Sequence, residues 1–126
     1  MEIIKDKIEF EQVSSKLFVK LSGEIDHHTA GSIKKSIDSK LFLARPEVIC
    51  LDLSKVSFMD SSGLGLILGR YQLSKEIGCS FVLKNPNENV MKILKIAGCD
   101  KLFETQFAEE ILFASVHGSN STCGTF

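Results

Sequence analysis

The run Phe58-Met59-Asp60-Ser61-Ser62-Gly63-Leu64-Gly65 constrains this chain more than any other segment. Apolar residues close one regular element, and glycine-rich apolar residues open the next. One carboxylate and two hydroxyls lie between them. A strand that passes straight into a helix belongs to a β-α-β arrangement, which builds parallel sheets. The free N–H groups of a helix start attract negative charge. A serine there can cap the helix, act as a nucleophile or carry a phosphate.

The rest of the chain fits the same architecture. Lys7 to Val13 and Leu17 to Ser22 are expected strands, joined by Ser14-Ser15-Lys16 as an antiparallel hairpin. Ala30, Ile33, Ile37 and Leu41 recur at helical spacing and predict a helix from about His28 to Leu43. Arg45-Pro46 stops it, because proline disfavours a helical residue before it. Val48 to Leu53 is a nearly continuous apolar run, as in a strand covered on both faces.

The second helix is expected from Ser62, taken as its cap, to about Ile77, with Gly78 as the C-terminal stop. It carries two apolar stripes: Leu64, Ile67, Leu68 and Tyr71, then Leu66, Leu73 and Ile77. An ordinary surface helix has one stripe, so this helix is either sandwiched or open to a partner. Cys79 to Leu83 is a strand, and Pro86-Asn87 starts a third helix through Val90, Ile93, Leu94 and Ala97 to Gly98. Leu102-Phe103 is a short edge strand, and Phe107 to Val116 a final helix. The predicted fold is α/β: one domain over 1–116, a mixed four- to five-stranded sheet, about four helices, and a flexible tail over 117–126.

Composition narrows the function. The 126 residues suit one domain, and a net charge of −1 argues against a nucleic-acid binder. No apolar run reaches the roughly 18 residues of a membrane span. Charges interrupt Met1-Glu2-Ile3-Ile4-Lys5-Asp6 before any export signal could form, so a cytoplasmic location is expected. Cys50, Cys79, Cys99 and Cys123 show no Cys-x-x-Cys spacing and are expected as structural thiols in a reducing compartment.

Enzyme readings fare poorly. A hydrolase elbow needs Gly-x-Ser-x-Gly, which the Ser61 region lacks. The glycines Gly63, Gly65 and Gly69 miss the dinucleotide fingerprint, and no Gly-x-x-x-x-Gly-Lys loop exists. Adjacent His27 and His28 point apart, so neither a metal nor any cofactor is expected. Plain capping, worth about 1 kcal/mol, remains open for the serines. Asp26-His27-His28-Thr29 forms a second strand-to-helix turn, with Asp26 or Thr29 as its cap, beside Ser61 on the same rim. In open α/β sheets that rim gathers ligands and chemistry.

Two segments carry a resemblance. Gly23-Glu24-Ile25-Asp26-His27-His28-Thr29-Ala30 and Phe58 to Gly65, extended through Ile67-Leu68-Gly69-Arg70-Tyr71, resemble the STAS domain family. The Asp-His-His-Thr turn and the Gly-Arg-Tyr extension narrow it to the sporulation branch of anti-sigma factor antagonists. The likeness covers about Lys7 to Val116; the first six residues and the tail depart from it. The resemblance implies a regulator, not an enzyme. Its unphosphorylated form binds an anti-sigma factor that is also a serine kinase, which frees a sporulation sigma factor. The kinase then phosphorylates Ser61, and a serine phosphatase reverses this.

The implied partner-binding set is Asp26, Asp60, Ser61, Ser62, Gly63, Leu64 and Gly65, with Asp26 orienting Ser61 or touching the kinase and Gly63 and Gly65 permitting close approach. The free N–H groups of the second helix are expected to accommodate the phosphate. Two alternatives stand beside this reading: a partner-switching regulator of another sigma factor, and a STAS module that binds a small ligand or nucleotide.

Overall fold

The computed structural model describes residues 7–107. Ile8–Val13 (β1) and Lys16–Ile25 (β2) form the expected antiparallel hairpin. Val48–Met59 (β3), Ser80–Lys84 (β4) and Glu104–Gln106 (β5) follow in parallel, so the five-stranded sheet has its strands in sequence order. Ala30–Ala44 (α1), Ser61–Glu76 (α2) and Glu88–Ile96 (α3) make the three crossovers.

Parallel crossovers of one hand, stepping in one direction, put every helix on the same side of a sheet. The core shows this. Ile33, Ile37 and Leu41 of α1, Leu66 and Ile67 of α2, and Val90 and Leu94 of α3 pack with Leu17, Val19, Leu21, Ile49, Leu51 and Leu83 in one cluster. Each fully buried leucine or isoleucine contributes about 2 kcal/mol by leaving water. Tyr71 of α2 meets Phe103 and Phe81 edge-on, with ring centres 5.1 and 5.8 Å apart.

Both stripes of α2 serve the fold. Leu66 and Ile67 are buried, and Leu64, Leu68, Tyr71, Leu73 and Ile77 pack half-buried against the core. Neither stripe is left as a bare apolar face, although the half-buried residues keep part of their surface exposed. Arg70 ties the helix to α1: the residue is 5% exposed and its Nε lies 2.7 Å from Asp38 Oδ1. The approach is off the line of a hydrogen bond, so the contact is an ion pair.

Several expected boundaries move. β2 runs to Ile25 and β3 to Met59, beyond Ser22 and Leu53. Two one-residue insertions in β3 allow this: Lys20 pairs with Asp52 but Ser22 with Lys55, and Gly23 pairs with Val56 but Glu24 with Phe58. α1 starts at Ala30, two residues after His28, because Asp26 and Thr29 first close a turn. The edge strand is Glu104–Gln106, since Phe103 is buried against Tyr71 instead. From residue 108 on, the helix expected over 107–116 and the tail 117–126 lie outside the described residues.

Candidate functional site

The carboxyl ends of β2 and β3 lie side by side. Ile25 pairs with Met59, and Asp60 N donates to Ile25 O at 3.3 Å. An aspartate follows each of these paired residues. The two turns they start share one rim, as the sequence predicts.

Asp60 is the cap of α2. Its backbone is extended, at φ −105°, and its carboxylate accepts from Ser62 N at 2.8 Å and from Gly63 N at 3.4 Å. The helix ladder begins with Leu64 N donating to Asp60 O at 3.1 Å. The expected cap, Ser62, is already inside the helix, where its side chain cannot reach forward to these donors. Ser61 becomes the first helical residue and is exposed. Its hydroxyl makes no hydrogen bond to any other described residue.

This arrangement corrects the electrostatic expectation. An anion already occupies the helix start, because Asp60 engages two of its N–H donors. A negative charge added at Ser61 would therefore lie beside a carboxylate that already uses two of those donors.

The two glycines differ. A Cβ on Gly63 would run into Met59 Cγ and lie 2.9 Å from Met59 Sδ and 3.2 Å from Ile25 Cγ2. Gly63 thus lets α2 start against the strand ends. Gly65 has nothing within 4 Å of a Cβ, so no described residue makes the expected close approach there. Leu64 is half-buried against the core. Ser62 and Gly65 instead line a groove between α1 and α2, about 300 Å³ in volume, with Gly31, Lys34, Gly69 and Arg70.

Asp26 organises its own turn. Its carboxylate accepts from His28 N at 2.9 Å and Thr29 N at 3.2 Å, while its own N–H donates to Thr29 Oγ1 at 3.1 Å. Desolvation raises its pKa, but the two backbone hydrogen bonds, the His28 charge and the Thr29 hydroxyl together outweigh that, so it falls below its ordinary value of 3.8. No hydrogen bond joins Asp26 to Ser61, so the expected orienting role has no bond to act through. His27 and His28 are exposed, with ring centres 4.2 Å apart. Among the described residues no group of three or more His, Cys, Asp or Glu could hold a metal.

Two features of the site escape the sequence reading. One is the groove itself, assembled from two helices. The other is Phe58, which is 48% exposed three residues before Ser61. A wider recess of about 680 Å³ lies elsewhere, lined by Phe18, Lys20, Asp52 and Lys84 on the opposite sheet face from the helices. Burial pushes the Cys50 thiol on that face up to about 11, despite the opposing pull of Lys84. Among the described residues no helix is long and apolar enough to cross a membrane.

The chain is similar to known proteins across this whole architecture. The STAS domain family model matches residues 7–118. The anti-sigma F factor antagonist of Paenibacillus polymyxa is 40% identical over 96 residues, covering 76% of this chain and 82% of that protein. The anti-sigma-B factor antagonist of Bacillus subtilis (strain 168) is 27% identical over 103 residues, covering 82% and 93%. The solved structure of the anti-sigma factor antagonist SpoIIAA in its unphosphorylated form superposes with a TM-score of 0.70 at 30% identity, covering 88% of this chain and 96% of that one. The chain belongs to the STAS domain family and, within it, to the anti-sigma factor antagonists.

Proposed function

We propose that the unphosphorylated chain binds an anti-sigma factor that is also a serine kinase and so releases a sporulation sigma factor. Phosphorylation of Ser61 ends that binding, and a serine phosphatase restores it. The observation that carries this reading is the Ser61 hydroxyl: exposed, without a hydrogen bond to another described residue, and fixed on the first turn of α2 by the Asp60 cap. Helical backbone holds a reacting group more firmly than a loop does. The likeness to anti-sigma F factor antagonists supports the sporulation partner.

The switch is electrostatic. A phosphate brings a charge of about −1.5 to −2. Two of the N–H donors that could absorb it, those of Ser62 and Gly63, are held by Asp60, whose carboxylate also repels it, so much of the added charge falls on the interface. A loss of about 3 kcal/mol there weakens binding more than a hundredfold. The fold itself stays as it is, because Ser61 contributes no contact to the core.

The test is to incubate the chain with the anti-sigma kinase of the same organism and ATP, then map the modified peptide. Phosphate on Ser61 is expected, and Ser61→Ala abolishes it while retaining binding. Phosphate on Ser62, or none, overturns the reading. The likeness to anti-sigma-B factor antagonists favours a second reading, with a different sigma factor released. Measuring affinity for the anti-sigma factors of both systems separates the two.

A further inference from the structure

We infer that Phe58 is an apolar anchor for the anti-sigma partner, filling an apolar recess on that protein beside the place that receives Ser61. The inference rests on the proposed function and adds a specific contact to it.

Single exposed apolar side chains are common and by themselves mean little. Position distinguishes this one. The large apolar side chains most exposed among the described residues are Val13, Phe42, Leu43, Phe58, Ile96 and Leu102. Val13 closes β1 at the hairpin turn, Phe42 and Leu43 lie at the end of α1, Ile96 is the last residue of α3, and Leu102 lies just before β5. All five sit at the amino-terminal ends of the parallel strands. Phe58 alone sits at the carboxyl-terminal end, on the rim that carries Ser61.

Its setting is also rigid. The two insertions keep β3 paired with β2 as far as Met59, so Phe58 is held in a ladder opposite Glu24. Bulges of this kind gather next to functional sites. Met59 is 1% exposed and turns inward beneath Gly63, while Phe58 leaves the strand on the other side. The β3–β4 ladder ends at Asp52 and Lys84, so no strand of the described residues covers Phe58 on that flank. An aromatic side chain on fixed backbone loses little entropy when a partner covers it, which is why aromatic residues dominate interface hot spots. The polar neighbours Glu24 and Ser57 are exposed and frame it.

The experiment compares the full chain with Phe58→Ala, Phe58→Tyr and Phe42→Ala, by calorimetric titration against the anti-sigma factor with a non-hydrolysable ATP analogue present, so that Ser61 stays unphosphorylated. Phe42 is 50% exposed, about as much as Phe58, and lies at the far end, so it controls for general loss of apolar surface. Phe58→Ala is expected to weaken binding at least about tenfold, as truncating an interface side chain that matters does. Phe58→Tyr and Phe42→Ala should stay within about twofold of wild type, and thermal melts should show all four proteins folded. Wild-type binding with Phe58→Ala within twofold overturns the anchor alone. So does an equal loss in Phe42→Ala, or a Phe58→Tyr as weak as Phe58→Ala. Absence of wild-type binding overturns the proposed function as well. If Phe58→Ala does not fold, Phe58→Leu and Phe58→Gln replace it: equal affinity for those two sinks the anchor.

Discussion

Two turns stand side by side on one rim and start alike, yet they offer a partner different chemistry. Each begins with an aspartate just after the paired residues Ile25 and Met59. In the first, His27-His28-Thr29 intervene before α1, and Asp26 uses its carboxylate on N–H groups of the turn itself. In the second, α2 follows at once, and Asp60 caps the helix. The first aspartate therefore shapes a loop with exposed imidazoles. The second fixes a hydroxyl on helical backbone. The length of the connection, not the identity of the aspartate, sets the difference.

The largest test of that contrast is charge. Ser61→Asp is expected to weaken binding to the anti-sigma factor more than about a hundredfold, or roughly 3 kcal/mol. The same charge in His28→Asp should cost less than about tenfold. Equal losses by titration calorimetry would mean that the rim is uniform and the helix-borne position is not special.

Next comes packing beneath the rim. Gly63→Ala should destabilise the fold by about 1–3 kcal/mol, because Met59 and Ile25 must move. Gly65→Ala, facing open space, should be neutral or stabilise by up to about 1 kcal/mol. Urea midpoints that fall equally for both variants would refute the close approach as the reason for Gly63.

Capping sharpens the comparison further. Asp60→Ala should lower stability by about 1 kcal/mol. Asp26→Ala should lower it less, because its carboxylate bonds only to its own turn and holds no helix start. Thermal melts giving the reverse order would break the distinction between helix cap and loop organiser.

The smallest effect concerns pH. The folded pKa of Asp26 is below its ordinary value of 3.8, so the unfolded chain takes up its proton first. The stability it adds is present above 3.8 and fades as pH falls through the lower folded value. The stability gap between wild type and Asp26→Asn should therefore shrink on acidification below 3.8. A gap that widens there reverses the sign and with it the role given to the two backbone hydrogen bonds.

Much of the fold was legible because its signals are local. The Ile33, Ile37, Leu41 spacing and the Arg45-Pro46 stop marked α1. Asn87 and Gly98 marked α3, with Asn87 accepting from Val90 N at 2.9 Å and Gly98 at φ 77°. The end of β3 was not legible. Its buried residues Leu53, Val56 and Met59 recur every third position, because two insertions offset the pleat. A period of three matches neither strand nor helix, so the segment looked irregular. Sequence alone puts the cap at Ser62, two residues late, because Asp60, Ser61 and Ser62 are all good capping types. Only the backbone angle at Asp60 distinguishes them. Both errors fall at the site, where the strand is prolonged and the helix starts early.

The order of residues by itself determined the alternation of strands and helices, the hairpin, the shared rim and the serine worth testing. Those follow from periodicity, proline, glycine and the carboxylates that precede helices, all of which act over a few residues. Tertiary structure alone decided that Asp60 fills the helix start, that Gly63 is needed and Gly65 is not, and that Phe58 stays exposed beside Ser61. Each depends on Met59 and Ile25 lying under α2 or on where β4 stops, and such contacts join residues far apart in the chain.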